Sequence, residues 1–176
     1  MAYSIIDPQL GFLSIANTDA GVTTVGGTTI PTPPLQLGQI VKAVDPTYGT
    51  GEFICLLGVA STAVGSVVTY DASTYQTVLC AVGGNIPRPI AIAMSANLAG
   101  TYGWYQISGV AVVKKQCTVS LAAGAAVGVL STGLIAGTGS GKEIDGAAVA
   151  AVASATAGRT TVKVMINRPS KQGRVT

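Results

Sequence analysis

The chain has 176 residues, so we expect one domain that buries a sizeable core without needing disulfides. Charged residues make up only 10% of it, against about 25% in typical soluble domains, and it contains no histidine. Because histidine is the usual proton carrier near neutral pH and a common metal ligand, this composition weighs against an enzyme, and we expect no catalytic residue, no metal and no cofactor.

Residues 1–36 differ in character from the rest of the chain. Gly26-Gly27 and the run Pro31 to Pro34 interrupt the segment, and proline removes the donors that a β-ladder needs. We therefore predict an extended N-terminal arm that becomes ordered on a neighbouring protein. The alternative is a strand pair packed on the chain's own domain. The apolar residues that would make the arm's contacts cluster near its front: Ile5, Ile6, Leu10, Phe12, Leu13 and Ile15.

The first residues, Met-Ala-Tyr-Ser-Ile-Ile-Asp-Pro, show no basic region followed by an apolar core. The pattern therefore predicts no secretory signal.

From residue 37 to residue 167, short β-type segments alternate with turns rich in glycine and proline. The turn signals include Asp45-Pro46-Thr47-Tyr48-Gly49 and Asp71-Ala72-Ser73. This spacing predicts an all-β domain, a compact antiparallel β-sandwich or barrel of the jelly-roll type. The predicted strands are 38–44, 53–60, 66–70, 75–82, 90–94, 102–113, 118–121, 127–131, 146–155 and 160–167.

The stretch Tyr102 to Val113 is the predicted central strand. It holds the only tryptophan and the densest run of aromatic and β-branched residues. Neither of its alternating faces is cleanly polar, which indicates a strand covered on both sides, with Gly109 a candidate bulge. Its marker residues are Trp104, Tyr105, Ile107 and Gly109.

The uncharged stretch from Gln116 to Gly141 raises the question of a membrane span. Its apolar content is mostly alanine and glycine, with no flanking aromatic belt, so we predict short strands with turns and no membrane contact.

Farther along the chain, the alanine-rich segment from Ala147 to Ala157 fits either a buried strand or a helix.

The C-terminal end is basic. Five of the ten basic residues, Arg159, Lys163, Arg168, Lys171 and Arg174, lie in the last eighteen positions, where there is no acid, whereas Asp7 and Asp19 are the only charges before Lys42. We predict a short basic tail over residues 168–176, in which Arg168, Lys171 and Arg174 contact either the acidic end of a neighbouring copy or a larger acidic surface. The alternative is a solvated tail without a partner. The tail has no aromatic residue, so we expect no direct nucleic-acid binding.

Two motifs with possible chemistry fail on their details. The loop Gly137-Thr-Gly-Ser-Gly-Lys142 lacks the first glycine and the final serine or threonine of a phosphate-binding loop. A paired-carboxylate hydrolase would need Glu52 beside Asp45 or Asp71, and nothing in the sequence brings them together.

The three cysteines, Cys55, Cys80 and Cys117, have no metal-binding spacing. We therefore predict buried thiols in a protein that assembles in a reducing cytoplasm.

Four stretches together resemble the head decoration, or capsid cement, proteins of tailed bacteriophages. They are Leu37 to Asp45, Gly65 to Asp71, Tyr102 to Val113 and Ala147 to Asn167, and the third carries the Gly-aromatic-x-Gln-x-x-Gly-x-Ala pattern of that family. The resemblance covers residues 37–167 and involves no catalytic residue.

This resemblance implies a structural virion protein on the outer surface of an icosahedral phage head, which stabilises the shell by bridging capsomers. The implied partners are the major capsid protein and other copies of the chain, as a homo-oligomer, a dimer or trimer. The implied location is the virion, after assembly in the host cytoplasm.

Two other functions fit the same residues. One is a carbohydrate-binding adhesion module, in which Tyr102, Trp104 and Tyr105 stack on sugar between the loops at 45–50 and 83–89. The other is a surface or fibre subunit that polymerises with itself.

Overall fold

The computed structural model describes residues 4–5, 13–82, 87–116, 118–139, 142–150 and 156–172. Within these ranges it contains fourteen strands and no helix, and every pairing between strands is antiparallel, which confirms the predicted all-β class. The strands are β1 Ser4–Ile5, β2 Thr18–Asp19, β3 Val22–Val25, β4 Thr28–Pro31, β5 Ile40–Asp45, β6 Gly49–Leu57, β7 Val67–Tyr70, β8 Thr77–Leu79, β9 Ile90–Ala93, β10 Tyr102–Lys114, β11 Ala126–Ser131, β12 Leu134–Gly137, β13 Glu143–Val149 and β14 Thr161–Lys171.

Twelve of the strands form one sheet that curls into a half-barrel. Its main path runs β1-β5-β6-β10-β14-β13-β11-β12, and β2, β7, β8 and β9 join it beside β10. The remaining two strands, β3 and β4, form a separate two-stranded sheet. Curling lets a single sheet enclose its own apolar face, as in a partly closed barrel.

Strand β10 is the centre of the sheet, as the sequence predicts. It pairs with β6 over Tyr102–Ser108 and with β14 over Ser108–Lys114, and β2 and β9 add shorter pairings. The register with β6 shifts between Gln106 and Ser108, and the next residue, Gly109, has φ +96°. A Cβ at this position would lie 2.6 Å from the Thr50 carbonyl oxygen. The irregularity therefore lies at Ile107, two residues before the predicted position, while both backbone conformation and close approach require glycine at 109.

Both faces of the N-terminal half of β10 are buried, because alternate side chains enter different apolar clusters. Trp104 is fully buried in a cluster that includes Phe53, while Tyr105 and Ile107 enter a second cluster with Leu56 on the opposite face. The C-terminal half of β10 lines the largest cluster, with residues of β7, β9, β11, β13 and β14, among them Val67, Ile92, Val113, Val129, Val149, Val164 and Ile166. Strand β10 therefore contributes side chains to all three apolar clusters of the described residues.

Both predicted aspartate turns are present. Asp45 Oδ1 accepts hydrogen bonds from the backbone N–H of Thr47 at 2.7 Å and of Tyr48 at 3.0 Å. Asp71 Oδ1 accepts from the N–H of Ser73 at 2.8 Å and of Thr74 at 3.1 Å. These carboxylates satisfy turn donors that the strands on either side leave unpaired.

The strand ends differ from the prediction at several places. Residues 118–121 form no strand, because Val119 N–H bonds back to Gln116 in a turn, and the strand expected at 75–82 is reduced to Thr77–Leu79. Strand β14 extends past residue 167 to Lys171, into the predicted tail. In the alanine-rich segment, residues up to Val149 belong to β13, and residues 151–155 lie outside the described part of the chain.

The uncharged stretch 116–141 contains β11 and β12 with their connecting turn, in agreement with the prediction of short strands. No helix long and apolar enough to span a membrane occurs in the described ranges.

Candidate interaction surface

The hairpin β3–β4 stands apart from the main sheet. A two-residue turn, Gly26-Gly27, joins the strands, with φ +58° and +83°, the left-handed values that a tight hairpin turn requires. Every residue of both strands is exposed, including the aliphatic side chains of Val22 (47%), Val25 (60%) and Ile30 (45%). A lone two-stranded hairpin is only marginally stable in water, so this element gains most from a partner.

The base of the hairpin is fixed to the central strand. Strand β2 pairs with β10 at Tyr102 and Gly103, and Asp19 Oδ1 accepts a 2.6 Å hydrogen bond from Gly21 N–H. Gly21 has φ +67°, and a Cβ there would lie 2.4 Å from the Tyr102 ring. The hairpin therefore leaves the sheet at a defined point beside Tyr102.

The two edges of the hairpin are chemically different. In its ladder, Val22 pairs with Pro31 and Thr24 with Thr29, while Thr32 N–H bonds to Gly21 O at 2.8 Å. Because bonded and non-bonded pairs alternate along an antiparallel ladder, Val22, Thr24, Thr29 and Pro31 direct their backbone groups outward. Pro31 has no N–H to offer, so the β4 edge is weakened and the β3 edge is intact.

Charge is absent from this part of the chain. No charged residue occurs between Asp19 and Lys42, a range that contains the whole hairpin. Natural edge strands usually carry lysine or another charge that prevents pairing with other chains. We therefore take the hairpin as the candidate interaction surface.

The residues predicted to form arm contacts are found in three situations. Ile5 lies in β1, whose backbone pairs with β5 at Ala43, and Ile6, Leu10 and Phe12 lie outside the described residues. Leu13 and Ile15 pack in the chain's own core, where Ile15 is 3% exposed. Among the described residues of the N-terminal segment, the hairpin carries exposed aliphatic side chains, farther along the chain than the predicted contacts.

The residues predicted for the basic tail are also separated. Arg168 lies in β14 and forms a 3.1 Å ion pair with Glu52, whereas Arg174 lies outside the described residues. Lys171 is buried at 6% exposure and donates a 3.0 Å hydrogen bond to Ala81 O, because β14 continues through it and directs its side chain inward. Lys171 therefore has a structural contact within the chain.

Two of the three aromatic residues predicted for sugar binding have no exposed face for stacking. Trp104 and Tyr105 are both completely buried, and Tyr102 is half-buried against the hairpin base. A sugar ring needs an exposed aromatic face, so a binding platform on Trp104 and Tyr105 is wrong.

The candidate carboxylates each make a contact within the chain. Glu52 pairs with Arg168, and Asp45 and Asp71 accept turn hydrogen bonds. No group of three or more metal-ligating side chains of His, Cys, Asp or Glu occurs among the described residues. Cys55 and Cys80 are buried free thiols, as predicted, and Cys117 lies outside the described ranges.

The hairpin has a sequence signal that the arm prediction did not use. The runs Val-Thr-Thr-Val and Thr-Thr-Ile-Pro are both β-type and are separated by Gly-Gly, which is the pattern of a tight hairpin.

No protein-family model matches the sequence, and no curated protein and no solved structure shows significant similarity to it.

Proposed function

We propose that this protein is a capsid decoration, or cement, protein: a structural virion component that binds the outer surface of an icosahedral phage head and bridges its capsomers. In this proposal the β3–β4 hairpin makes the contact with the neighbouring protein in the shell. The main sheet is the rigid body that carries the hairpin.

The observation that carries the proposal is the hairpin itself, an uncharged and fully exposed pair of strands fixed at its base beside Tyr102. Exposed backbone edges and aliphatic side chains favour a partner that supplies strand pairing and apolar contact. Repetition of one small contact at every equivalent site of a shell gives strong attachment through multivalency. The family pattern in Tyr102–Val113 supports the same function from the sequence.

Co-sedimentation tests the proposal. The purified chain is mixed with expanded phage heads that lack it, and the bound fraction is measured against added protein. We expect saturable, stoichiometric uptake by the shells. Sedimentation of the shells without the chain at every concentration would contradict the proposal.

Matched variants assign the contact to the hairpin. Replacement of Val22, Val25 and Ile30 by serine removes its exposed aliphatic side chains, and uptake should weaken about tenfold or more. The control replaces three comparably exposed residues outside the hairpin, Val64 (52%), Val78 (49%) and Leu98 (67%), by serine. Uptake of the control should equal that of the unmodified chain, and equal loss in both variants would exclude a specific role for the hairpin.

A further inference from the structure

We infer that the β3 edge is a self-association site, at which β3 of one chain pairs antiparallel with β3 of a second copy about a two-fold axis at Thr23. The inference rests on the proposed function in one respect, since it names the neighbouring shell protein at the hairpin as another copy. The product is a continuous four-stranded sheet in the order β4-β3-β3-β4.

The choice of β3 follows from the position of proline. Val22 and Thr24 each direct an N–H and a C=O outward, whereas on the other edge Thr29 offers both groups and Pro31 offers only its carbonyl. Among the described residues β3 pairs with β4 alone. A strand that adds to the hairpin therefore finds a full set of donors and acceptors at β3 only.

The outward groups also fix the register. An antiparallel pair with a perpendicular two-fold axis places some residue opposite itself, and the bonded positions must be Val22 and Thr24. With Thr23 opposite its own copy, Val22 faces the partner's Thr24 and Thr24 faces the partner's Val22. Each of these pairs exchanges N–H···O bonds in both directions, so this register uses every outward group of β3.

Charge favours a second copy over a different partner. Pairing of a strand with itself places identical or neighbouring side chains opposite one another, and like charges in that position are destabilising. The stretch from residue 20 to residue 41 has no charge that could oppose self-pairing or attract a charged partner. Threonines opposite each other at the axis are a favourable cross-strand pair.

Disulfide trapping tests the register with the free, full-length chain. In the proposed pairing the two Thr23 residues form a non-bonded pair with Cα atoms about 4.5 Å apart, within the range that a disulfide spans. Thr23→Cys should form a covalent dimer about tenfold faster than Thr28→Cys, which lies on the same hairpin face in β4. Ile30→Cys reports pairing through the β4 edge, because Ile30 lies between the outward positions Thr29 and Pro31 as Thr23 lies between Val22 and Thr24. The unmodified chain is the control for any reaction of Cys117.

A second pair of variants separates strand pairing from chance collision. In the Thr23→Cys background, Thr24→Pro removes an outward N–H without removing a bond of the hairpin, and cross-linking should slow about tenfold. Thr29→Pro makes the equivalent change on β4 and should leave the rate unchanged.

Equal rates for the three cysteine variants, or fastest reaction of Ile30→Cys, would overturn the inference. Because the shell is absent from this experiment, its failure is distinct from failure of shell uptake.

Discussion

The indole N–H of Trp104 donates a 2.7 Å hydrogen bond to the backbone carbonyl of Leu13. This bond joins the N-terminal segment to the central strand across 91 positions of sequence. Ile15 is buried in the same cluster as Trp104, and Leu13 packs against that cluster, so these two residues belong to the core.

Two deletions should therefore have different effects on stability. Removal of residues 1–34 takes away Leu13 and Ile15 and exposes Trp104, so the free energy of unfolding should fall by about 3 kcal/mol or more. Replacement of residues 22–31 by a short Gly-Ser linker removes only exposed residues and should change it by less than about 1 kcal/mol. Urea unfolding of both variants measures the difference. Equal stability of the two would contradict the assignment of Leu13 and Ile15 to the core.

A second prediction concerns Asn97, whose side-chain amide donates a 2.6 Å hydrogen bond to the Tyr105 hydroxyl. The Asn97 side chain occupies space left by Gly103, where a Cβ would lie 2.3 Å from Asn97 Nδ2. Asn97→Ala should cost about 2 kcal/mol of unfolding free energy, because it leaves a buried hydroxyl without this partner. Gly103→Ala should cost at least as much through steric overlap.

The double variant of Asn97 and Gly103 distinguishes this geometry from independent effects. Removal of the Asn97 side chain makes room for the new methyl group, so the combined loss should be smaller than the sum of the single losses. Asn167→Ala, an exposed position on β14, is the control and should be near neutral. Strict additivity would show that Asn97 and Gly103 are not in contact.

The buried cysteines predict resistance to alkylation and sensitivity to alkali. Burial raises the pKa of the Cys55 thiol to about 12 and that of Cys80 to about 11, although Lys171 partly opposes the second shift. In native protein at pH 8, peptide mapping after iodoacetamide should find both unmodified, and unfolding in urea should expose them. Since the unfolded thiols ionise near pH 9, stability should fall as the pH rises from there through the folded values. Rapid native labelling of either residue would contradict its burial.

The turn at Asp71 predicts a low carboxyl pKa. Hydrogen bonds from the Ser73 hydroxyl and from the N–H groups of Ser73 and Thr74 hold the pKa of Asp71 at about 2, with a smaller contribution from the charge of Arg88. The shift favours the ionised form in the folded state, so the turn's contribution is present above the unfolded pKa near 4 and lost as pH falls through about 2. An NMR titration of the Asp71 carboxyl checks the midpoint. A value near 4 would show that the turn hydrogen bonds are absent.

The sequence predicted the features that depend on local chemistry. The density of aromatic and β-branched residues placed the central strand at 102–113, close to the observed Tyr102–Lys114, and the aspartate turns followed from their turn residues. Long-range packing was less accessible. Whether Ile15 packs in the core of its own chain or on a neighbouring protein depends on the space beside Trp104. Whether the Lys171 side chain points inward depends on how far β14 continues.

The candidate surface was only partly predictable for the same reason. The hydrophobicity of the N-terminal segment predicts contacts that include Ile6 and Phe12, and both residues lie outside the described part of the chain. The hairpin at Val22–Pro31 is composed mainly of threonine, valine and glycine. It is proposed as a contact surface because its residues are exposed and its edges are open, and only the three-dimensional arrangement shows this.

Imaging of the particle that carries this protein tests the central claim most directly. Electron cryomicroscopy of heads with and without the chain should show additional density on the outer surface, at the boundaries between capsomers, that disappears when the chain is absent. The chain should fit that density with its hairpin directed toward a neighbouring protein. Difference density found only on the phage tail or inside the shell, or no difference density at all, would contradict the account.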